Sequence, residues 1–257
     1  MNIKIIVATH KEYRMPQDDI YFPLHVGAEG KKSIGLVGDN TGKNISNQNP
    51  FLCELTGLYW AWKNLDYDYL GLVHYRRHFA GKSKSDSKFD RVIKRQEIEE
   101  LLKQTDIVLP IKRRYFIETL YSHYEHTHYV KDLDNTKKIL SEKYPQYITA
   151  FNNVMKRRSG HMFNMFIMKK EFVNNYCNFI FDILFELQKR TDFSNYSSFN
   201  LRFCGYISEL LLDVWIEKNK LSYKEIPVIH MEKINWLKKG YSFLLAKFFG
   251  KKYDRSF

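Results

Sequence analysis

Short apolar runs that end in polar clusters constrain this chain most, because stretches of helical periodicity separate them. Ile3 to Ala8 is a β-branched run that gives way at once to Thr9-His10-Lys11-Glu12. That is the pattern of a strand ending in a polar loop. Tyr69 to His74 (YLGLVH) and Thr105 to Pro110 (TDIVLP) read as buried strands. Met162 to Met168 reads as another, and Ser222 to Ile229 as a last one ending at His230. Between them, Leu52, Leu55, Leu58, Tyr59 and Trp62 recur at helical spacing behind Pro50, a residue suited to a helix start. Gln96 to Gln104 predicts a short helix, 135 to 157 two helices broken near Pro145, and Glu171 to Arg190 a long one. A further helix is expected from about Tyr206 to Lys218. Residues 13 to 50, with Pro16, Pro23 and Pro50, read as loop and short strands, and Lys82 to Lys88 as a flexible loop. Strands alternating with helices predict an α/β sheet rather than a helical bundle.

Composition narrows the class. A chain of 257 residues with 44% hydrophobic and 27% charged residues has enough apolar material for a substantial core and is not largely disordered. Cys53, Cys177 and Cys204 are odd in number and widely spaced, which argues against a disulfide scaffold and fits a reducing compartment. No run of about 18 apolar residues is present, and the opening MNIKIIVATHK does not resemble a signal peptide. The expected location is the cytoplasm. The net charge of +12 asks for an anionic partner: nucleic acid, a membrane surface or a phosphorylated substrate.

Three loci carry candidate chemistry. The first is His74-Tyr75-Arg76-Arg77-His78 at the end of an apolar strand. Ligands of open α/β sheets bind beyond the carboxyl ends of strands, and adjacent arginines there can hold a diphosphate. Alternation along a strand turns one arginine to the ligand and the other away, and a solvated basic turn is the other reading. The second is the loop Asp39-Asn40-Thr41-Gly42-Lys43-Asn44-Ile45-Ser46. Its short polar side chains can read ribose or sugar hydroxyls, or satisfy the loop's own backbone. Glu54 and Thr56 follow in a position to reach the same pocket. The third is Glu209, read near a helix start, where it is either a base facing a cleft or a first-turn glutamate. His123, His126 and His128 lack the matching ligands a zinc site needs, and no Asp-x-Asp directly follows an apolar strand. P-loop, dinucleotide-binding and serine-elbow motifs are absent.

The last segment, 233–257, carries seven Lys/Arg against Asp254, net +6, with Leu237, Tyr241, Leu244 and Phe248 on one helical stripe. It suits an anionic membrane interface, or a helix packed on the domain with a basic outer face.

Four blocks together carry a resemblance. They are Asp39-Asn40-Thr41-Gly42 through Asn49-Pro50 to Glu54-Leu55-Thr56 and Tyr59-Trp60-Ala61-Trp62; Gly71-Leu72-Val73-His74-Tyr75-Arg76-Arg77; Ser159-Gly160-His161-Met162-Phe163-Asn164; and Gly205-Tyr206-Ile207-Ser208-Glu209. The chain up to about His230 resembles the bacterial domain-of-unknown-function family 4422. Members of that family are encoded among capsular and exopolysaccharide genes and regarded as glycosyltransferases.

The resemblance implies a single-domain nucleotide-sugar transferase fold of the A type, a Rossmann-like mixed sheet flanked by helices over 1–232. It implies transfer of a sugar, galactopyranose or galactofuranose, from a UDP-sugar to a lipid-linked saccharide at the inner face of the membrane. On this reading Thr9, His10 and Lys11 approach the nucleotide, and Asp39, Asn40 and Asn44 contact hydroxyls. Arg76 or Arg77 neutralises the diphosphate and His74 orients it. Glu209 is the base of an inverting displacement. His161, with Arg157 and Arg158, offers a further phosphate contact. Tyr75, Trp60 and Trp62 are candidates to stack on a sugar. The strand that carries Asp-x-Asp in such folds ends here in His74-Tyr75-Arg76. Arginine can therefore stand in for Mn²⁺ or Mg²⁺, and metal dependence stays open. A basic nucleic-acid-binding protein and a sugar-binding module are the alternatives. The first lacks any recognised nucleic-acid motif.

Overall fold

The computed structural model describes residues 1–232. The basic segment 233–257 lies outside the described residues. In chain order the strands and helices begin β1 (Ile3–Thr9), β2 (Tyr21–His25), β3 (Val37–Gly38), α1 (Asn49–Leu52), α2 (Leu55–Asn64), β4 (Tyr69–His74) and β5 (Arg77–Phe79). They continue α3 (Arg95–Leu102), β6 (Ile107–Pro110), β7 (Arg113–Arg114), α4 (Leu120–Thr127), α5 (Val130–Lys143), α6 (Ile148–Met155) and β8 (Ser159–Gly160). The last are β9 (Phe166–Lys169), α7 (Lys170–Arg190), α8 (Phe203–Asn219), β10 (Lys224–Ile226) and β11 (Val228–His230). The fold is mixed α/β, as the alternation predicts.

Two compact units form. The first comprises Met1–Ile111, His161–Asn178 and Ser222–Glu232. Its sheet runs β10-β6-β9-β4-β1-β2-β3, with β5 paired to β4 and β11 to β5. β2, β1 and β4 are parallel neighbours, while β9 runs antiparallel between β4 and β6. Ile3, Ile5, Val7, Val73, Val108 and Ile167 from four strands pack with Ile98 and Leu102 of α3 in one buried cluster. On α2, Gly57 permits close approach: a Cβ there would lie 2.7 Å from Val26 Cγ1 and 3.2 Å from Leu24 Cδ2. No larger residue fits without displacing β2's end.

The second unit includes Lys112–Gly160 and Phe179–Leu221. Helices α4, α5, α6, the end of α7 and α8 bury Leu133, Leu140, Phe151, Val154, Leu184, Leu187, Leu211 and Val214. β7 and β8 form a separate antiparallel pair.

Several boundaries differ from the periodicity reading, and three of the breaks have a clear local cause. The helix behind Pro50 is broken at Cys53, whose φ of 52° and ψ of −128° are not helical. β9 begins only at Phe166, because Phe163 (φ 76°) and Asn164 (φ 53°) take left-handed backbone that a strand cannot accommodate. The last strand is two, split at Pro227: β10 pairs parallel with β6 and β11 antiparallel with β5. Helix α8 starts at Phe203, so Glu209 is not in its first turn. The dipole argument for that carboxylate therefore falls away.

Candidate active site

The carboxyl edge of β1, β2 and β4 is built in the first unit around two carboxylates, one fully buried and one half-buried. Asp39 is fully buried at the end of β3. Its carboxylate accepts from Gly27 N at 2.8 Å, Ala28 N at 3.0 Å and Thr56 Oγ1 at 2.6 Å, and from the Ser46 hydroxyl. Gly27 sits at φ +62°, and a Cβ there would lie 2.3 Å from Asn49 Oδ1. Asp39 thus fastens its own loop at Ser46 to the turn after β2 and to the first turn of α2, and these bonds go to the protein. Asn44 closes a local turn, donating to Gly42 O and accepting from Ser46 N. Asn40 and Asn44 are exposed. Thr9 is buried, and its hydroxyl donates to Lys11 O at 2.6 Å, which shapes the turn after β1. Trp60 Nε1 donates to Thr41 Oγ1, and Trp62 Nε1 to Asn174 Oδ1. Both indoles are thereby tied into the first unit.

The second carboxylate is Glu54, directly after the Cys53 break. Asn164 Nδ2 donates to Glu54 Oε1 at 2.7 Å, and His74 Nε2 lies 3.8 Å from the same oxygen. The His74 ring nitrogen also lies 2.7 Å from Phe163 O. A carbonyl only accepts, so Nε2 carries a proton and donates. Burial lowers the pKa of His74, with Glu54 opposing and Arg77 and Arg76 adding to the effect. Among the described residues four non-glycines have positive φ, and three of them, Cys53, Phe163 and Asn164, frame this constellation. Residues held in sparsely populated backbone regions cluster at functional sites. His74 was legible from the sequence as a strand end. The turn that presents Asn164 is not legible from the sequence, because MFNMFIM reads as uninterrupted strand.

Cations line the same strand end. Arg76 Nη1 lies 3.3 Å and Lys11 Nζ 3.8 Å from the Glu232 carboxylate. Lys11 Nζ also lies over the rings of Tyr13 and Tyr75, and His10 meets Tyr75 edge-on. The Arg77 guanidinium lies 4.3 Å from the centre of the Phe163 ring. Lys11, Tyr75 and Arg76 therefore converge, as do His74, Arg77 and Phe163. His161 is buried and its Nε2 meets Glu225 Oε1 at 3.0 Å, an internal pairing with β10. Glu209 and Arg157 belong to the second unit: Glu209 is half-buried on α8, and Arg157 is ion-paired with Glu217. Among the described residues no group of three or more His, Cys, Asp or Glu side chains is placed to hold a metal ion.

The model of a family described as "domain of unknown function (DUF4422)" matches residues 4–220. The chain belongs to the DUF4422 family. No match was found among curated proteins. Among solved structures, this DUF4422 chain is similar to the apo structure of the WbbM bifunctional glycosyltransferase, at 31% identity and a TM-score of 0.84. The match covers 91% of this chain and 46% of that one, so this chain spans about half the length of its relative. Among the described residues no helix is long and apolar enough to cross a membrane.

Proposed function

We propose that this chain is a glycosyltransferase that moves a hexose, galactopyranose or galactofuranose, from a UDP-sugar to a lipid-linked saccharide in capsular or exopolysaccharide synthesis. The likeness to a named glycosyltransferase across nine-tenths of the chain carries this reading. The cation-rich edge of β1 and β4 supports it. In an inverting displacement the acceptor hydroxyl attacks the anomeric carbon, the bond to the diphosphate oxygen breaks, and UDP leaves with the added negative charge. Lys11, Arg76 and Arg77 are assigned to neutralise that charge, since preorganised cations act where charge develops. His10 and Tyr75 flank the same position, and His74 orients the leaving group. Asn40 and Asn44, exposed on their loop, are the hydroxyl contacts. Asp39 is assigned to hold that loop in shape.

The acceptor proton needs a base. Glu209 is our assignment, resting on the family resemblance. Glu54 is the second reading, favoured by the bond from Asn164 and by its nearness to His74. Single-turnover transfer with Glu209→Gln and Glu54→Gln decides between them. Glu209→Gln is expected to lower the transfer rate by about 10²-fold or more with UDP affinity unchanged. Unchanged transfer by Glu209→Gln, with loss in Glu54→Gln, would move the base to Glu54.

A further inference from the structure

Phe116 and Ile117, in the second unit, are 86% and 61% exposed. Single apolar residues on a surface are ordinary, but here two are adjacent and are held in place rather than left loose. β7 pairs with β8, Tyr115 N donates to Arg158 O at 2.7 Å, and Leu120 N donates to Arg157 O at 2.8 Å. The Arg158 guanidinium donates to Phe116 O. Just beyond the apolar pair, buried Glu118 meets His123 Nδ1 at 2.9 Å and His126 Nδ1 at 2.6 Å, and Thr119 caps α4. The chain is thus pinned on both sides of two side chains that reach into solvent.

The surroundings are basic. Stretches 112–120 and 156–160 read KRRYFIETL and KRRSG, with Glu118 their sole acid. Glu118 is turned inward to its two histidines, and Arg157 is neutralised by Glu217. Arg114, Lys156 and Arg158 are exposed, and Lys112 and Arg113 are half-exposed.

The geometry points to a docking surface for an anionic phospholipid membrane: Phe116 and Ile117 enter the interface while the flanking cations meet lipid phosphates. Apolar side chains on a basic rim are the composition of interfacial binding. Two apolar side chains are too small an area for a stable protein interface, which buries about 1,200 Å² or more. None of its residues belongs to 233–257, and it does not depend on the catalytic reading.

Vesicle co-sedimentation of the full chain tests it, with phosphatidylcholine vesicles with and without phosphatidylglycerol. F116S/I117S is expected to weaken binding about tenfold. R114Q/R158Q is expected to weaken binding only where phosphatidylglycerol is present, by about fivefold per residue. Phe116→Trp is expected to bind at least as tightly as the wild type, with its added fluorescence quenched by spin-labelled lipid. All four changed positions are exposed, and thermal melts establish that the variants fold. Wild-type vesicle binding by F116S/I117S would overturn the proposal. So would a concentration-dependent dimer lost in that variant, which would make a second copy the occupant.

Discussion

Each side chain at the β4 edge has a role set by what already holds it. Asn164 donates to Glu54 from left-handed backbone. Asn164→Ala leaves a half-buried carboxylate without that donor, and is expected to cost about 1–3 kcal/mol of stability and to lower transfer at least tenfold. Thermal melts and initial rates check both. Glu54 opposes the burial that lowers the His74 pKa. Glu54→Gln removes that opposition, so the His74 titration followed by NMR should move to still lower pH. An unmoved or raised midpoint would contradict the pairing. Glu232 lies against both Lys11 and Arg76. Glu232→Gln is expected to tighten UDP binding about two- to threefold at low salt, less at high salt, by calorimetry. At this scale the sequence located the cations and His74, because an apolar run that stops abruptly marks a strand end. It could not separate Asp39, turned inward to four internal donors, from an acid that faces a ligand. Composition is the same for both, and only the surrounding fold decides which way a loop carboxylate turns.

Periodicity located most elements and misplaced their breaks. Tyr69–His74 was legible to the residue, and α7 to within one residue, because each is a long apolar pattern with polar ends. The break between α1 and α2 was not, since Leu52, Leu55 and Leu58 keep helical spacing across Cys53. That break places Glu54 next to His74. Cys53 takes a backbone conformation suited to glycine. Cys53→Gly is expected to raise stability by about 1 kcal/mol, or about 2–4 °C in Tm. Gly57→Ala is expected to lower it by about 1–3 kcal/mol, because the new Cβ would press on Val26 of the first unit.

For the whole molecule, the alternation of strands and helices predicted the α/β class, and the order of the sheet was hidden. Nothing local tells that β9 inserts antiparallel between β4 and β6, or that each unit is assembled from separated stretches of chain. Those pairings are long-range. Stability against acid is a property at this scale. His78 is fully buried, and burial lowers its pKa from 6.5 to about 4. The unfolded chain then binds a proton that the folded one refuses, so folding stability falls as pH drops from about 6.5 toward 4. The loss is about 2 kcal/mol at pH 5. His78→Phe should flatten that limb in urea titrations at pH 7 and pH 5, and an undiminished slope would contradict the assignment.

Sugar transfer is assigned to the cation-rich edge of β1 and β4. The most direct measurement is UDP release by the purified chain offered a panel of UDP-sugars with and without a lipid-linked saccharide, the acceptor then being weighed by mass spectrometry. We expect acceptor-dependent UDP release with one UDP-sugar and an acceptor heavier by one hexose, both lost in R76A/R77A. Absence of any acceptor extension across the panel, with salt-dependent binding to random oligonucleotides, would contradict it.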